Sequence, residues 1–492
     1  MIALIRQGLI HLNVVVAFLT FSSGASGYVA SALGPEATLS EPSGGYVGQM
    51  TVIPAHAPAG TRITVKANGL PSRQEVQLVW RTVKGQWKVV DGDYNGREYI
   101  PVVYEIAQLT TDVNGALDFE FETPEDFGFM HDIVVQQGQR LLTQVGFNLD
   151  MTVSISPARA PAGTPITIEV KGIGWRQLQN SWMLLYDNKY TGWISAVTTS
   201  GAARFTVPAV GRPGRHVLEI LHGDFTFAYR NMQQSPEPDR PRFIKYITVT
   251  PGAAVLPPPA ELQTQKNIRG LPMPGALVAT PAHAPIKTPV VVRGAGIPPG
   301  KPFDLEWGTV TGNRVSANAG WEESTRAIAS AIADTQGNIE FRFNAPDDLG
   351  GAHSLLVRDG TLKKQGFFWT VPSALPLNVN KGPVGTAFKV HLKGAGWTET
   401  ANIYAIVYDN NYIGYACGFN SQGDIEVFLQ ATGDPGWHFV DFYPAIYKGK
   451  ETRPLNFRVP QLTFEADHPG EDLPRFRFAF LVTPDLKAKA AP

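Results

Sequence analysis

The sequence predicts an all-β protein built from tandem two-sheet sandwiches, arranged as an internal duplication in the order A-B-A′-B′. The first observation is that one stretch occurs twice, at 163–216 and 385–438, with no insertion or deletion between the copies. The second is strict alternation of apolar and polar residues over short runs, which is the period of a strand with one buried face. The third is that turn signals separate these runs, while no long helical period occurs.

The duplicated stretch keeps one constant offset in residue number from its first landmark to its last. Each copy begins with Gly-Thr and an alternating strand, which in the first copy places Ile166, Ile168 and Val170 on one face. Three further landmarks share the offset: Lys-Gly-x-Gly-Trp at 171–175 and 393–397, Tyr-Asp-Asn at 186–188 and 408–410, and Pro-Gly-x-His at 213–216 and 435–438. This agreement predicts two sandwiches of one kind.

A second block repeats upstream of each copy. The motif Pro-Ala-His-Ala-Pro at 54–58 recurs at 281–285, whereas from Asp112 onward the landmarks recur with the smaller offset of the duplicated stretch. Because the two offsets differ by five, the first A unit is predicted to have a loop that much longer than A′, between Trp80 and Asp112. Units of about 100 residues with many short strands have the size and rhythm of immunoglobulin-like β-sandwich domains.

The order of motifs resembles that of a known family. Gly-Thr, a strand, Gly-x-Gly-aromatic, and a Gly-x-His turn leading into another strand resemble bacterial Ig-like repeats of the IPT/TIG and early-set type, over about residues 50–461. The resemblance implies tandem immunoglobulin-like sandwiches but no particular ligand, because such repeats serve as spacers, adhesive modules and enzyme appendages. The chain departs from the family at 68–71 and 294–297, which lack Gly-x-Gly-Trp, and in having His where Tyr is common.

The boundaries follow from the repeats, the proline content and the N-terminal composition. Residues 1–32 are typical of a signal peptide with a small-x-small site at 30–32; a rival site at 25–27 and an uncleaved anchor are the alternatives. The remaining segments are 33–48 as a flexible lead-in, 49–150 as A, 151–250 as B, 251–275 as a Pro-rich linker, 276–372 as A′, 373–461 as B′, and 462–492 as a C-terminal strand and tail. This order predicts a secreted, periplasmic or cell-surface protein with no membrane span after signal cleavage.

Two segments carry predictions about shape. The linker, with consecutive prolines at 257–259, predicts a semi-rigid, extended spacer and an elongated molecule with two rigid halves. Residues 475–480 alternate like a strand, which predicts an extra edge strand on B′. A strand donated to another chain is the alternative. The oligomeric state stays open.

Composition limits the partners. Lys plus Arg number 42 and Asp plus Glu number 43, and this balance argues against a nucleic-acid or anionic-membrane partner, which would favour a basic face. The single cysteine, Cys417, excludes an intrachain disulfide, and its repeat partner Ser195 predicts a small, buried position. The expected partner is a polysaccharide or another surface protein.

Two groups of residues have side chains that could bind a metal ion. The repeated histidines belong to four different domains, which argues against one shared set of metal ligands. Each is interpreted instead as a structural residue whose ring hydrogen-bonds the turn at one corner of its own sandwich. They are His131, His216, His353 and His438. Asp91, Asp93 and Asn95 match the first half of a calcium loop, but the twelfth position is Val102 instead of Glu. An ordinary turn is the preferred interpretation, and calcium is the one cofactor that the sequence suggests.

Aromatic residues mark the candidate ligand site in each B unit. They are Trp175, Tyr190 and Trp193 in B, and Trp397, Tyr412 and Tyr415 in B′. Rings that follow a hairpin are expected in solvent, where they stack on a sugar or meet the adjoining A domain. Contact with the A domain is the preferred interpretation, because the A–B junctions are short.

Linear signatures of catalysis are missing from the sequence. It contains no Gly-x-Ser-x-Gly, His-Glu-x-x-His, phosphate-binding loop or cysteine pair. The predicted function is therefore that of an exported, non-catalytic, multi-domain protein with a surface-structural or binding and adhesion role. The alternatives are a carbohydrate-binding accessory protein and a hydrolase whose site lies between A and B.

Overall fold

A computed structural model of the chain describes residues 46–90, 93–223, 233, 241–264, 268, 271, 275–312, 321–447 and 458–485. The predicted signal peptide and nearly all of the lead-in lie outside these ranges. Within them the strands form eight sheets, of three or five strands each, which pair into four sandwiches. The predicted all-β fold, with immunoglobulin-like sandwiches in an A-B-A′-B′ duplication, is confirmed.

The first two sandwiches have the same plan. The strands of A are β1 Gln49–Ile53, β2 His56–Ala57, β3 Arg62–Asn68, β4 Glu75–Val90, β5 Asp93–Thr110, β6 Leu117–Glu122, β7 Phe129–Gln137 and β8 Arg140–Leu149. The strands of B are β9 Thr152–Ser156, β10 Arg159–Pro161, β11 Pro165–Lys171, β12 Trp182–Tyr186, β13 Lys189–Ile194, β14 Ala203–Pro208, β15 Gly214–His222 and β16 Phe243–Thr250. The sheets run β1-β3-β6 and β2-β8-β7-β4-β5 in A, and β14-β11-β9 and β10-β16-β15-β12-β13 in B.

The second pair repeats this topology. The strands of A′ are β17 Leu277–Thr280, β18 His283–Ala284, β19 Pro289–Gly294, β20 Pro302–Gly312, β21 Trp321–Ile332, β22 Ile339–Asn344, β23 Gly351–Asp359 and β24 Leu362–Thr370. The strands of B′ are β25 Ser373–Leu375, β26 Lys381–Gly382, β27 Ala387–Lys393, β28 Ile403–Tyr408, β29 Asn411–Cys417, β30 Ile425–Gln430, β31 Gly436–Ala445 and β32 Phe476–Val482. The sheets run β17-β19-β22 and β18-β24-β23-β20-β21 in A′, and β25-β27-β30 and β26-β32-β31-β28-β29 in B′. Single-turn 3₁₀ helices occur at Ala260–Leu262 and Phe419–Ser421.

Strand β11 shows how alternation in the sequence builds these sandwiches. Ile166, Ile168 and Val170 are fully buried, whereas Thr167 and Glu169 between them are partly exposed. The strand pairs with β9 on one side and β14 on the other, so its three apolar side chains face the opposite sheet. Burial of an aliphatic side chain of this size contributes about 1.5–3 kcal/mol.

A tryptophan lies at the centre of each A-type sandwich. Trp80 is fully buried, its Nε1–H donates to Asp126 Oδ2 at 2.8 Å, and its ring stacks on His131 with centroids 4.4 Å apart. In A′, Trp307 donates to Asp348 Oδ2 at 2.9 Å in the same way. The bond satisfies the polar end of a buried indole, which would otherwise lose its contact with water.

Each repeated histidine forms a hydrogen bond with the turn that precedes its strand, in agreement with the predicted structural role at the corner of its sandwich. One ring nitrogen lies 2.6–2.8 Å from the carbonyl oxygen four residues earlier: His131 to Phe127, His216 to Arg212, His353 to Leu349 and His438 to Asp434. The same bond in four sandwiches indicates a structural role that depends on local geometry.

The longer A unit differs from its prediction. Strands β4 and β5 have 16 and 18 residues, whereas their counterparts β20 and β21 have 11 and 12. The additional residues lengthen a paired hairpin rather than a loop, and the ladder continues as far as the pair Val90 and Asp93. The outer part of this hairpin, residues 82–90 and 93–102, is called the arm below.

The C-terminal strand also differs from its prediction. Strand β32 lies between β26 and β31, so it is an interior strand of B′ rather than an extra edge strand. It occupies the place of β16 in B, and the sheets of B′ therefore continue to Val482, beyond residue 461. The constant repeat spacing did not reveal this because B′ has a longer connection before its last strand. Residues 458–475, which end that connection, are called the clamp.

The two halves of the chain are in contact, which contradicts the predicted elongated molecule in which an extended spacer joins two rigid halves. Val255 N–H donates to Ala162 O at 2.8 Å, which holds the linker against B. Ala260 is buried in the core of B′. The Gln263 side chain accepts from Arg477 N–H at 2.6 Å and donates to Arg477 O at 2.7 Å. B and B′ also share one cluster of buried apolar side chains.

Candidate functional site

Trp193, predicted to lie in solvent, is instead buried at a junction of three domains. It is on β13, the edge strand of the five-stranded sheet of B, and only 1% of it is exposed. The backbone N–H of Trp193 donates to Pro460 O at 2.7 Å, and the backbone carbonyl of Trp193 accepts from Leu462 N–H at 2.8 Å. The clamp thus covers the open edge of B with a short parallel bridge.

The arm of A closes the same junction. The Trp87 ring meets the Trp193 ring edge to face, with centroids 6.2 Å apart, and the Arg97 guanidinium lies 5.8 Å from the Trp193 centroid. A Cβ on Gly85 would lie 2.1 Å from Val197 O, so only glycine permits this approach of arm to B. Contact with the A domain was the preferred interpretation for this ring, and the geometry agrees with it.

Asp467 of the clamp joins A, B and B′. Its carboxylate accepts from Val197 N–H at 2.8 Å, from the Thr198 N–H and Oγ1 at 2.9 and 2.8 Å, and from Trp87 Nε1–H at 2.9 Å. Asp467 is only 1% exposed. A buried carboxylate with this many donors is well compensated for its lost hydration, and charge-assisted bonds of this kind are strong.

Trp175 lies at the boundary between A and B, and 6% of it is exposed. Its ring contacts Phe127 and His131 of A, with centroids 6.0 and 5.1 Å away, and the Arg176 guanidinium lies 4.3 Å from its centroid. Burial lowers the pKa of Arg176 to about 10, although the nearby Asp132 carboxylate opposes this change. The packed rings leave no exposed aromatic face at this position.

Tyr190 and Tyr412 face each other across the boundary between B and B′. Their rings meet edge to face with centroids 6.1 Å apart. Tyr190 Oη donates to Met183 Sδ at 3.5 Å, and Tyr412 Oη donates to Arg458 O at 2.7 Å. Burial raises the pKa of Tyr190 well above its ordinary value, and Tyr412 adds to this effect. Both phenols therefore stay neutral and serve as interface side chains.

The two remaining candidate rings are in B′. Tyr415 is 41% exposed, and Arg458 of the clamp donates to its Oη at 3.0 Å, with the guanidinium 5.4 Å from the ring centroid. Trp397 is partly buried, and its carbonyl accepts from Asn402 Nδ2 at 3.4 Å. The six aromatic candidates therefore lie in several separate settings rather than on one exposed platform. Cys417, also expected to be buried, is exposed.

The calcium candidate is only partly described. Asp91 lies outside the described residues, while Asp93 and Asn95 are exposed on β5, where Asn95 Nδ2 donates to Asp93 O at 3.1 Å. Across the described ranges, no group of three or more His, Cys, Asp or Glu side chains converges to hold a metal ion.

Sequence reasoning missed the clamp. Its contacts join residues that are far apart in the chain, such as Thr463 Oγ1 with Ser195 N–H at 3.0 Å. One signal in the sequence was available, because the constant register between the copies stops after the Pro-Gly-x-His motif of B′. That loss of register indicates extra residues in B′, but it does not indicate which surface they cover.

Comparisons with known proteins found matches among solved structures but not among sequences. No family model and no curated protein matches the chain. Among solved structures, the ICAM-5 D1–D4 ectodomain fragment is 12% identical over 82% of this chain and 96% of that chain, with a TM-score of 0.17. The N-terminal eight Ig domains of Down Syndrome Cell Adhesion Molecule are 12% identical over 87% and 53%, with a TM-score of 0.16.

A third similar structure is a Salmonella alpha-2-macroglobulin mutant, 10% identical over 87% of this chain, with a TM-score of 0.18. This chain spans 30% of the length of that protein. Likenesses at these scores carry no argument about activity. Within the described ranges, no helix has the length and apolar character needed to cross a membrane.

Proposed function

We propose that the protein is an exported, non-catalytic protein with a surface-structural or binding role, in which four immunoglobulin-like sandwiches of the IPT/TIG kind form one rigid unit. The observation that carries the proposal is the junction around Asp467, where one buried carboxylate joins the A arm, the B edge strand and the B′ clamp. Domains that merely follow one another along a chain need no such contact.

The positions of the aromatic residues favour this role over the carbohydrate platform. Trp175, Trp193 and Tyr190 contact neighbouring domains, so their faces are not offered to a sugar. The close packing at the boundary between A and B also argues against a hydrolase site there. At that boundary Gly128 N–H donates to Ile173 O at 3.1 Å, and the two backbones leave little room for a substrate.

Export is the part of the proposal that rests on the sequence of residues 1–32. Cells that produce the full chain with a C-terminal tag are fractionated beside cells that produce the chain without residues 1–32. We expect the full chain outside the cytoplasm and shortened at its N-terminus, and the truncated chain inside. Full-length protein that stays in the cytoplasm would contradict export.

The rigid unit is tested by unfolding. Asp467→Asn should lower the free energy of unfolding by about 3 kcal/mol, because charge-assisted bonds to backbone and indole donors are weakened. The control is Asp118→Asn, which removes an exposed ion pair with Lys66 and should lower the free energy of unfolding far less. If urea titrations show the same loss of unfolding free energy for both variants, the Asp467 junction does not hold the domains together.

The non-catalytic part needs its own assay. The purified full chain is incubated with a panel of polysaccharides, peptides and esters, and the release of products is followed by mass spectrometry. We expect no turnover. Turnover that survives further purification and tracks with the protein would show an enzyme and would overturn this part of the proposal, whatever the result of the export experiment.

A further inference from the structure

Strand β13 of B and strand β29 of B′ are equivalent edge strands with the same register. Trp193 of β13 stands opposite Met183, and Tyr415 of β29 stands opposite Ala405. Both ladders also shift register at equivalent places. The register of an antiparallel pair decides which backbone groups face the neighbouring strand. Tyr415 therefore directs its N–H and carbonyl away from β28, as Trp193 directs its own away from β12.

The clamp occupies this edge in B. The Trp193 backbone bonds Pro460 and Leu462, which stand two residues apart in the clamp, and this is the pattern of a parallel pair of strands. In B′, the described residues pair β29 with β28 alone. The backbone groups of Tyr415 therefore lie along an edge to which another strand can be added.

A glycine next to each of these residues leaves room for an apolar side chain. A Cβ on Gly192 would lie 2.8 Å from Leu462 Cδ2, so the leucine of the clamp fills the space that Gly192 leaves. Around the same Cβ position on Gly414, the repeat counterpart, no described atom lies within 4 Å. Both units thus have a notch at this glycine, and an apolar side chain of the chain itself fills the notch of B.

The two edges differ in exposure along their length. Three alternate residues of β13 are buried: Thr191, Trp193 and Ser195. Their repeat counterparts on β29 are exposed: Ile413, Tyr415 and Cys417. An edge strand that combines outward backbone groups with exposed apolar side chains is a template for pairing with another strand.

The clamp cannot cover both edges. The Asp467 carboxylate accepts from Val197 N–H, and Thr463 Oγ1 accepts from Ser195 N–H, so the clamp is fixed on B. A second copy of the chain has its own clamp engaged in the same way. The edge of β29 therefore fits a strand from a different protein, and the clamp on β13 shows what such a strand needs.

We propose that the edge of β29 binds an extended peptide segment of another protein as a parallel strand. A carbonyl of the peptide accepts from Tyr415 N–H. The residue two positions later donates its N–H to Tyr415 O and places an apolar side chain of leucine size at Gly414. The proposal rests on the binding role described under Proposed function and gives that role a site and a class of partner.

Hydrogen exchange of the intact chain tests whether the edge is open. The probe is the acetylated and amidated peptide of residues 458–464, Arg-Val-Pro-Gln-Leu-Thr-Phe, because this sequence pairs with the equivalent edge in B. We expect the Tyr415 amide to exchange at least about tenfold faster than the Trp193 amide, and to slow at least about tenfold when the peptide saturates the chain. A Tyr415 amide that is already as protected as that of Trp193 would show that the chain or a second copy covers the edge, and would overturn the proposal.

Isothermal titration with matched peptides tests the mode of binding. Methylation of the backbone nitrogen of Leu462 in the peptide removes the donor for Tyr415 O, and Leu462→Ala in the peptide shortens the side chain that fills the notch. Each change should weaken binding at least about tenfold. A peptide of the same composition in scrambled order is the control and should not bind. Failure of the unmodified peptide to bind, or equal binding of the methylated one, would overturn the proposal.

A variant of the chain locates the peptide. Tyr415→Pro removes the outward N–H, which a proline at an edge position permits, and should weaken binding at least about tenfold. The control is Phe428→Ala, an exposed ring on β30 in the other sheet of B′, and its affinity should equal that of the unchanged chain. Binding that Tyr415→Pro retains would place the peptide elsewhere, such as on β13 in place of the clamp, and would overturn the site. The methylated peptide covers the case in which Tyr415→Pro fails to fold.

Failure of this proposal is distinguishable from failure of the proposed function. An exported, inactive chain that binds no probe peptide would overturn the peptide site and leave the surface-structural role intact. A chain retained in the cytoplasm would contradict export, and turnover would show an enzyme, without changing the titration result.

Discussion

The rings of Tyr190 and Tyr412 meet edge to face at 6.1 Å, although the two residues occupy the same position in two copies of one repeat. Arg212 and Asp434, which also stand at equivalent repeat positions, form an ion pair across the same boundary. Contacts between equivalent positions are the mark of an interface with two-fold symmetry. B and B′ therefore pack near such an axis within one chain.

Away from that axis the two units differ. Phe439 of B′ is fully buried and packs near Gly163, whereas its repeat partner Val217 is 39% exposed. Phe439 belongs to the cluster of buried apolar side chains that B′ shares with B, and Val217 is not part of that cluster. Equivalent positions of the two repeats are therefore buried in B′ and exposed in B.

Trp193 and Tyr415 share a repeat position but are 1% and 41% exposed, respectively. Trp193→Ala should lower the free energy of unfolding by about 3–5 kcal/mol, because it leaves a cavity between three domains. Tyr415→Ala should cost less than about 1 kcal/mol, since it removes a surface ring. Urea titrations of both variants measure this. Similar losses of unfolding free energy in the two variants would show that Trp193 is not buried between the arm and the clamp.

Gly128 and Gly350 allow the close approach of A to B and of A′ to B′. A Cβ on Gly128 would lie 1.7 Å from Gly172 O, and one on Gly350 would lie 1.9 Å from Gly394 O. Gly128→Ala and Gly350→Ala should each open one junction and increase its cleavage by protease, as followed by mass spectrometry.

Gly146→Ala is the control for these two changes, because its new Cβ meets only the flexible end of the Met130 side chain. Its cleavage pattern should match that of the unchanged chain. If Gly128→Ala and Gly350→Ala are no more sensitive to protease than this control, the glycines do not set the junctions.

Burial raises the pKa of Glu471 to about 7. A carboxyl group with a raised folded-state pKa favours its neutral form, so the folded state loses stability as pH rises from the unfolded pKa, about 4.5, through 7. Glu471→Gln should remove this loss. The variant should melt at a higher temperature than the unchanged chain at pH 8 and at nearly the same temperature at pH 4.5. A constant difference across this range would contradict the assignment.

His438 and His353 should have opposite effects of pH on stability. Burial lowers the pKa of His438, but the hydrogen bond and charge of Asp409 outweigh it, and the net pKa lies above the ordinary 6.5. Its contribution is therefore full below pH 6.5 and is lost as pH rises through the folded pKa. Burial lowers the pKa of His353, so its contribution is lost as pH falls below 6.5.

These signs are measured by replacing each histidine with glutamine. The loss of unfolding free energy caused by His438→Gln should shrink as pH rises from about 6.5 to 8, whereas the loss caused by His353→Gln should shrink as pH falls from about 6.5 to 5. Each variant is the control for the other. Slopes of the same sign would show that the bond to Asp409 does not keep the His438 ring charged.

The amino-acid sequence by itself determined the duplication, the sandwich fold, the inward residues of strands such as β11, and the histidine at each corner. These features depend on periods of two residues and on turns a few residues long, so their physical causes lie within short stretches. The sequence also predicted the five extra residues of A. Whether they form a loop or a paired arm depends on whether another domain offers a surface for them to pack against.

Only the tertiary structure decided which repeated residues became interfaces. Trp193 and Tyr415 stand at equivalent positions of equivalent hairpins, and nothing local distinguishes a buried ring from an exposed one. The clamp and the arm bury Trp193, and both are far from it in the chain, the clamp after it and the arm before it. Burial is a property of the surface that covers a side chain, and that surface exists only after the four sandwiches have packed together.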